Sequence, residues 1–487
     1  MSYYAIGFGG TGAKCIEALI HLCAAGMMPD DQELYILFVD QDDDNGSLGR
    51  AQKLLKIYKK CRTEDAATVD FLRSKIVSPK KDNWLPEEDK EATLLKFVQY
   101  SNLTTEFKHM FDVLYDKKEK TTEMGKGFRG HPSIGAAVFA ATVDLDSIDP
   151  WKEIKGRLEK ETDSRIMFFG SIFGGTGAAG VPTISRLFNN WREIFPKNPF
   201  RLGSVLTLPY FTFKKNEQDE LHADARDFAV NTQTALQYYQ QQDYMGVFDK
   251  AYLLGCDDPR DMGKAEIGSQ NQVNPPHWVE VYAAMAAIDF FKEEKFIDDR
   301  YNLIGRKKAK VLDWTDLPYK SVEARKKITS LLRFAFAYHA VYLPAIKKLR
   351  TEKNAYWAPW FVDFFKRPGV EVQSKLDNEL NPVDEYCEQF LKWLAGIEYS
   401  ITGNTGTNFL ADYASFAELT KDDDDKLEIT LRDNFILSKF ADFEVGDQKK
   451  KVDLMTLWER MCERYSVGTD ENGSRKFVSE LYRQCGQ

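Results

Sequence analysis

The chain has 487 residues, 43% of them hydrophobic, which suffices for a sizeable core and for two large domains or about three smaller ones. A formal net charge of −9 argues against a general nucleic-acid-binding surface. No apolar run is long enough to span a bilayer and the N-terminus shows no leader pattern, so no membrane span is expected and the expected location is cytoplasmic. Cysteines 15, 23, 61, 256, 387, 462 and 485 show no C-x-x-C spacing, which argues against a metal centre built on them and for reduced thiols.

In chain order, Tyr3–Ile6 is a short apolar run that reads as a strand, and Gly7-Phe8-Gly9-Gly10-Thr11-Gly12 follows it directly. Ile16, Leu19, Ile20 and Cys23 then recur at helical spacing. Strand, glycine-rich turn and helix together let backbone N–H groups approach an anion, with the helix N-terminus adding partial positive charge. Tight packing of a loop is the alternative. GFGGTG also satisfies G-x-G-x-x-G, the dinucleotide fingerprint, although Asp40 comes later than the usual offset of about 20 residues. The phosphate loop G-x-x-x-x-G-K-[ST] is not met, because Ala13 separates Gly12 from Lys14.

Glu33–Asp40 predicts a second parallel strand, and Asp40, Asp42, Asp43 and Asp44 crowd the loop that leaves it. Carboxylates there suit hydrated Mg²⁺ beside phosphates, since that ion keeps several waters and takes few carboxylates. A solvated acidic loop is the other reading, and the one preferred for Asp43 and Asp44. Residues 50–124 are charged and helical in pattern, carry no chemical motif, and read as a packing or partner surface. Gly125, Gly127, Arg129 and Gly130 then precede an alanine-rich helix, and an arginine in such a loop is ordinarily a surface charge.

A second turn lies further along. Arg165–Phe169 predicts a buried strand, Gly174, Gly175, Thr176 and Gly177 follow, and Val181, Ile184, Leu187, Phe188, Trp191 and Phe195 mark a helix. Two such units in one chain allow a polyphosphate to be clamped from two sides. Strands are predicted over 200–213 and Asp249–Gly255, with a polar helix over Asp219–Gln242 between them. Asn274-Pro275-Pro276 predicts a helix start, an N-cap residue before prolines whose missing N–H costs nothing. Residues 318–350, 383–396 and 452–466 look helical, and Lys421–Lys426 reads as a solvated charge run.

Phe173–Gly180, FGGTGAAG, resembles the signature GGGTG[ST]G of the tubulin and FtsZ superfamily. Phe173 replaces its first glycine, Ala178 the Ser/Thr and Ala179 the last glycine. IGFGGTGAK resembles the FtsZ opening, with Lys14 where FtsZ has Asn. Gly130–Gly135, GHPSIG, is similar to the loop A-N-P-E-x-G that lies over the terminal phosphate, and Leu206–Phe213, LTLPYFTF, to the strand ending T-x-P-F-x-F. The four motifs occur in the family's order across residues 3–300, in a pattern nearest the divergent bacterial tubulin-like group.

The resemblance implies an α/β fold: a Rossmann-like GTPase domain of tubulin/FtsZ type with a parallel sheet over 1–310, a helical insertion at 50–124, and a mostly helical C-terminal domain over 311–487. It implies GTP or GDP as ligand and Mg²⁺ on Asp40 and Asp42. The phosphates would meet Gly9, Gly10, Thr11, Gly12, Lys14, Arg129, Gly130, His131, Gly174, Gly175, Thr176, Gly177 and Ala178. Cys256, Asn274 and Trp278, with His277, would stand near the base or ribose. Cys256 occupies the place of an FtsZ Asn, and the family's Glu and Arg are not found in Lys214-Lys215-Asn216, which leaves guanine specificity open. The superfamily's acidic loop enters the next subunit's site and activates water. Asp298 and Asp299 occupy its place, with Arg300 where FtsZ has an aspartate.

Slow GTP hydrolysis coupled to filament or complex assembly is the function this implies, with self-association and a possible protein partner on the insertion or the C-terminal helices. A non-catalytic nucleotide sensor is the alternative, and a dinucleotide-dependent oxidoreductase a minor one.

Overall fold

A computed structural model describes all residues except 1, 29–31, 63–70, 129, 215–224, 243, 257–258, 265–273, 295–300, 304–313, 318–320, 354, 367–371, 406–408, 423–425, 444–451 and 464–472. Its strands are β1 (Ser2–Phe8), β2 (Glu33–Val39), β3 (Lys75–Val77), β4 (Asn83–Trp84), β5 (Ser164–Ser171), β6 (Phe200–Thr207), β7 (Phe211–Lys214), β8 (Lys250–Leu254), β9 (Arg260–Lys264) and β10 (Tyr301–Leu303). Eight of these form one sheet in the order β10-β8-β6-β5-β1-β2-β3, with β4 also paired to β2. Every pairing in it is parallel. β7 and β9 form a separate parallel pair.

The central strands are apolar throughout because both faces of the sheet are covered. Their side chains divide with period two. Tyr3, Ala5, Leu34, Ile36, Phe38, Met167 and Phe169 join one core, while Tyr4, Ile6, Phe8, Tyr35, Leu37, Val39, Ile166 and Phe168 join the other. On the first face lie α1 (Gly9–Ala24) and α2 (Gly46–Cys61). The helix α3 (Thr105–Leu114) belongs to the insertion. The second face is covered by α4 (Pro132–Thr142), α5 (Trp151–Leu158) and α6 (Gly175–Ile194). Next come α7 (Ala225–Gln241) and α8 (Trp278–Lys292), the latter returning to the first face.

The C-terminal part holds α9 (Ser321–Ala337), continued through a π-helical turn at Tyr338–Tyr342 into Leu343–Leu349, then α10 (Asn381–Thr405), α11 (Leu454–Cys462) and α12 (Gly473–Cys485). An antiparallel pair, β11 (Ala417–Lys421) and β12 (Leu427–Leu431), interrupts the helices. The first-face core extends without a break from Tyr3 to Cys485. His21 on α1 accordingly meets the Tyr386 hydroxyl at 3.2 Å and the rings of Phe390 and Trp393 on α10. The N-terminal sheet and the C-terminal helices therefore share one core.

Three sequence expectations need correction. The 50–124 segment contains β3 and β4, strands too short for any periodicity to announce them. The expected strand over 200–213 divides at Leu208-Pro209-Tyr210 into β6 and β7. The helix expected to start at Asn274 starts at Trp278. His277 is its cap, accepting from the Val279 amide at 3.3 Å while Glu280 reaches back to the His277 amide at 2.9 Å. This reciprocal arrangement satisfies donors that a start at Asn274-Pro275-Pro276 would leave open.

Candidate functional site

The direction of chain travel reverses at the middle of the sheet. β2 lies on one side of β1, and β5, the next long strand, on the other. Such a switch point leaves a crevice at the carboxyl ends of the two strands, the usual ligand position in open α/β sheets. Both glycine-rich turns open there. Gly7 pairs in register with Phe169, so the turns begin at the same level. α1 leaves to one face and α6 to the other.

The turns touch. Gly9 has φ +68°, a left-handed conformation that favours glycine, and a Cβ there would stand 3.4 Å from the Thr176 Cβ. No side chain caps α1 or α6, and neither has an acidic residue in its first turn. The N-terminus of α4 at His131 is likewise without a side-chain cap. By contrast, the Asn45 carboxamide caps α2, accepting from Ser47 and Leu48 at 2.9 and 3.2 Å. The helices at the crevice thus leave their first N–H groups for something else.

The loop before α4 is built onto the second turn. A Cβ on Gly175 would lie 2.7 Å from the Phe128 Cβ, so Phe128 rests directly on that glycine. The Asn231 amide on α7 ties the loop to the turn, reaching the Gly130 and Phe173 carbonyls at 3.1 and 3.3 Å. Gly130, His131, Gly174, Gly175, Thr176 and Gly9 are thus brought together, whereas the Thr11 side chain turns to Tyr210. Gly10 faces Asn45, whose carboxamide would be 3.2 Å from an added Cβ. Gly12 and Gly177 sit one step deeper, against the Gly7 and Ser171 backbones, where they let helix and strand approach. The Ala178 amide is already engaged, donating to Gly174 within the helix at 3.3 Å.

The acidic loop divides as its burial dictates. Asp43 and Asp44 are exposed and pair with Lys90 at 2.9 and 3.2 Å. Asp40 and Asp42 are buried. Asn83 on β4 exchanges two hydrogen bonds with the Asp40 backbone, at 3.0 and 3.2 Å. Asp40 Oδ1 accepts from the Thr176 hydroxyl at 3.4 Å and the Asp42 amide at 3.3 Å, while Oδ2 has no partner. Burial, and then the neighbouring Asp42, push the Asp40 carboxyl up to about 8. Two carboxylates and a hydroxyl form an all-oxygen set that suits Mg²⁺, an ion that completes its shell with water and phosphate oxygens. Among the described residues no group of three or more His, Cys, Asp or Glu could hold a metal alone.

Lys14 is placed elsewhere than expected. It is buried, 2.6 Å from Glu280 on α8, and lies over the Tyr210 ring. Tyr210 donates to the same Glu280 oxygen at 2.8 Å. Position 14 falls on the face of α1 that packs against α8, so its charge is neutralised inside. Asn274 gives its carbonyl to Arg50 at 3.0 Å, and Arg50 also pairs with Glu17 on α1. Trp278 is buried, edge-on to Tyr282, with its amide bonded to Ser400. Neither is seen against the turns among the described contacts. Cys256 is half-buried and lines an open cleft of about 600 Å³ with Leu208, Pro209, Thr232, Gln233 and Leu236. Arg129, Asp298 and Asp299 lie outside the described residues.

Sequence reasoning missed Asn45, Asn83, Phe128 and Asn231. Only Asn45 carried a signal, an N-cap residue just before a helical run.

No protein-family model matches the sequence, and no curated protein matches it. Among solved structures it is similar to tubulin/FtsZ-family filament proteins at low identity. CetZ2 from Haloferax volcanii, in a GTPγS-bound protofilament, shares 14% identity over 61% of this chain and 60% of that one, with a TM-score of 0.29. CetZ from Methanosaeta thermophila shares 12% over 62% and 57%, with a TM-score of 0.30. TubZ of Bacillus thuringiensis serovar israelensis, in a GTPγS-form protofilament, shares 12% over 59% and 55%, with a TM-score of 0.27. The match thus spans less than two thirds of each of these proteins.

Proposed function

We propose that the chain binds a guanine nucleotide with Mg²⁺ and hydrolyses it slowly, in step with its own assembly. The observation that carries the reading is the meeting of two uncapped helix N-termini at the switch point, with the unpartnered Asp40 oxygen beside them. Backbone donors there suit the α- and β-phosphates, and Asp40 and Asp42 suit the ion. Phosphoryl transfer needs mainly positioning and charge neutralisation, which amides and a metal supply.

In this reading Asp298 and Asp299 orient water in a neighbouring copy's site, Arg129 faces the terminal phosphate, and Cys256 and Asn274 meet the ribose or base. Self-association follows from a site completed by a second copy. The division of labour is a nucleotide-binding domain over 1–310 and a helical domain over 311–487. No helix among the described residues is long and apolar enough to cross a membrane.

Competition binding with GTP, ATP and NAD tests the reading. Guanine preference supports it, and preference for NAD transfers the case to a dinucleotide enzyme.

A further inference from the structure

A cavity of about 120 Å³ opens where the end of α2, the chain at 71–72, the start of α10 and the first turns of α12 come together. Phe71, Leu72, Leu380, Val383 and Val478 give it an apolar floor, and Lys60, Arg62 and Arg475 stand around it. The one acid among its lining residues is Glu379, whose charge is balanced by Lys375 at 2.7 Å, with the Ser474 hydroxyl donating to its other oxygen.

Three costs to stability converge there. Leu72 holds φ +54°, a left-handed backbone that an L side chain rarely adopts, and its amide donates to the Ala24 carbonyl at 3.1 Å. Leu376–Leu380 forms a π-helical turn, a rare conformation frequent at functional sites, and the Tyr338 hydroxyl donates to its Leu380 carbonyl at 2.9 Å. The cavity itself forgoes the packing contacts that would fill it. Local rules broken together at one place mark a functional site more often than a defect. α2 joins this place to the crevice. Its cap Asn45 faces Gly10 at one end, and Lys60 and Cys61 line the cavity at the other, about 24 Å along the helix.

We propose that this cavity binds a small organic monocarboxylate, its apolar body in the pocket and its carboxylate among Lys60, Arg62 and Arg475. An engineered apolar cavity of about 150 Å³ admits benzene, so the volume sets a body about the size of that ring. The excess of cations over acids in the lining sets the charge of the head, and a guanidinium matches a carboxylate with two parallel N–H bonds. Bound there, the ligand touches both α2 and α12, and so braces the C-terminal helices against the helix that Asn45 caps beside the crevice. The site is separate from the crevice and independent of the nucleotide reading.

Calorimetric titration of the full chain with benzoate, benzyl alcohol and inorganic phosphate tests the assignment. Benzoate should bind about tenfold or more tighter than either of the others, since benzyl alcohol lacks the charge and phosphate lacks the apolar body. Val478→Trp, which fills the cavity, and Arg475→Gln, which removes one cation, should each weaken benzoate binding by about tenfold or more. Should Val478→Trp lower the melting temperature, Arg475→Gln carries the same test. Absence of benzoate binding at millimolar concentration, equal binding of benzyl alcohol or of phosphate, or an unaltered benzoate affinity in a variant that melts as the parent does overturns the proposal.

Discussion

Thr176 and Asp40 meet across the crevice, hydroxyl to carboxylate at 3.4 Å, although 136 positions separate them. Thr176 opens α6 on one face of the sheet, and Asp40 ends the strand next to β1. The second Asp40 oxygen is buried without a partner, and burial with Asp42 close by raises this carboxyl to about 8. In the unfolded chain an aspartate titrates at about 3.9. Between those values the folded protein holds a proton that the unfolded chain releases, so stability falls as pH rises through that window. Without nucleotide or metal, the melting temperature should decline from pH 5 to pH 8, and Asp40→Asn should flatten that decline. An identical pH profile in Asp40→Asn would remove Asp40 as its source.

On the proposed reading the same proton would compete with Mg²⁺. Mg²⁺ requires the carboxylate, so Mg²⁺ affinity measured with nucleotide present should rise from pH 6 to pH 8 and then level. Asp40→Asn should lower it by about tenfold or more, since Mg²⁺ is held by one or two carboxylates and the phosphates. Titration calorimetry in two buffers of different ionisation enthalpy would detect the proton released. No release at pH 7 contradicts the assignment.

Gly9 offers a cleaner probe of the cradle than Gly175. A side chain on Gly175 would strike Phe128, so its loss of function would confound folding with binding. Gly9→Ala forces a left-handed φ on alanine and brings a methyl to 3.4 Å from the Thr176 Cβ. Nucleotide affinity should fall by about tenfold or more, with about 1 kcal/mol of stability lost. Gly49, inside α2 with nothing within 4 Å of an added Cβ, is the control. Gly49→Ala should stabilise by about 0.5–1 kcal/mol and leave binding unaltered.

Lys14 separates a structural from a ligand role. Removing one partner of a buried pair leaves the other charge uncompensated, at a cost of about 3–5 kcal/mol. Lys14→Met should therefore destabilise strongly, and Lys14→Met with Glu280→Gln should recover part of the loss. Urea unfolding of the single and double variants measures this. A Lys14→Met protein of parental stability with weakened nucleotide binding would return Lys14 to the phosphates.

Much of this architecture was legible in the residues, for identifiable reasons. Continuous apolar runs such as Arg165–Phe169 follow from burial on both faces, and a glycine turn after each marks the switch point. The split within QDDDN was legible only in part, since Lys90, which draws Asp43 and Asp44 outward, arrives from the insertion. Lys14 was unreadable because the spacing of Ile16, Leu19, Ile20 and Cys23 marks a buried stripe but not α8 beside it. Asn231 and Phe128 matter through contacts made after folding, and no local pattern announces those. At Asn274 the prolines mimicked a helix start, while the capping signal lay three residues on, in His277 and Glu280.

Hydrolysis is where the family pattern and this chain part most sharply. A site completed by a neighbour needs a carboxylate from the segment after α8, and at the distance that the FtsZ pattern sets the acidic residues are Asp298 and Asp299, with Arg300 in the place of the FtsZ aspartate. Removing the two carboxylates is expected to leave the fold intact. On the proposed reading, GTP hydrolysis should be slow and its specific rate should rise with protein concentration, the water-orienting group being supplied by the next copy. Asp298→Ala combined with Asp299→Ala should lower that rate by roughly tenfold or more without weakening nucleotide binding. Single-turnover rates at several protein concentrations decide the matter. A rate independent of concentration, or unaltered in the double variant, would make the chain a nucleotide sensor whose conformation, rather than turnover, carries the signal.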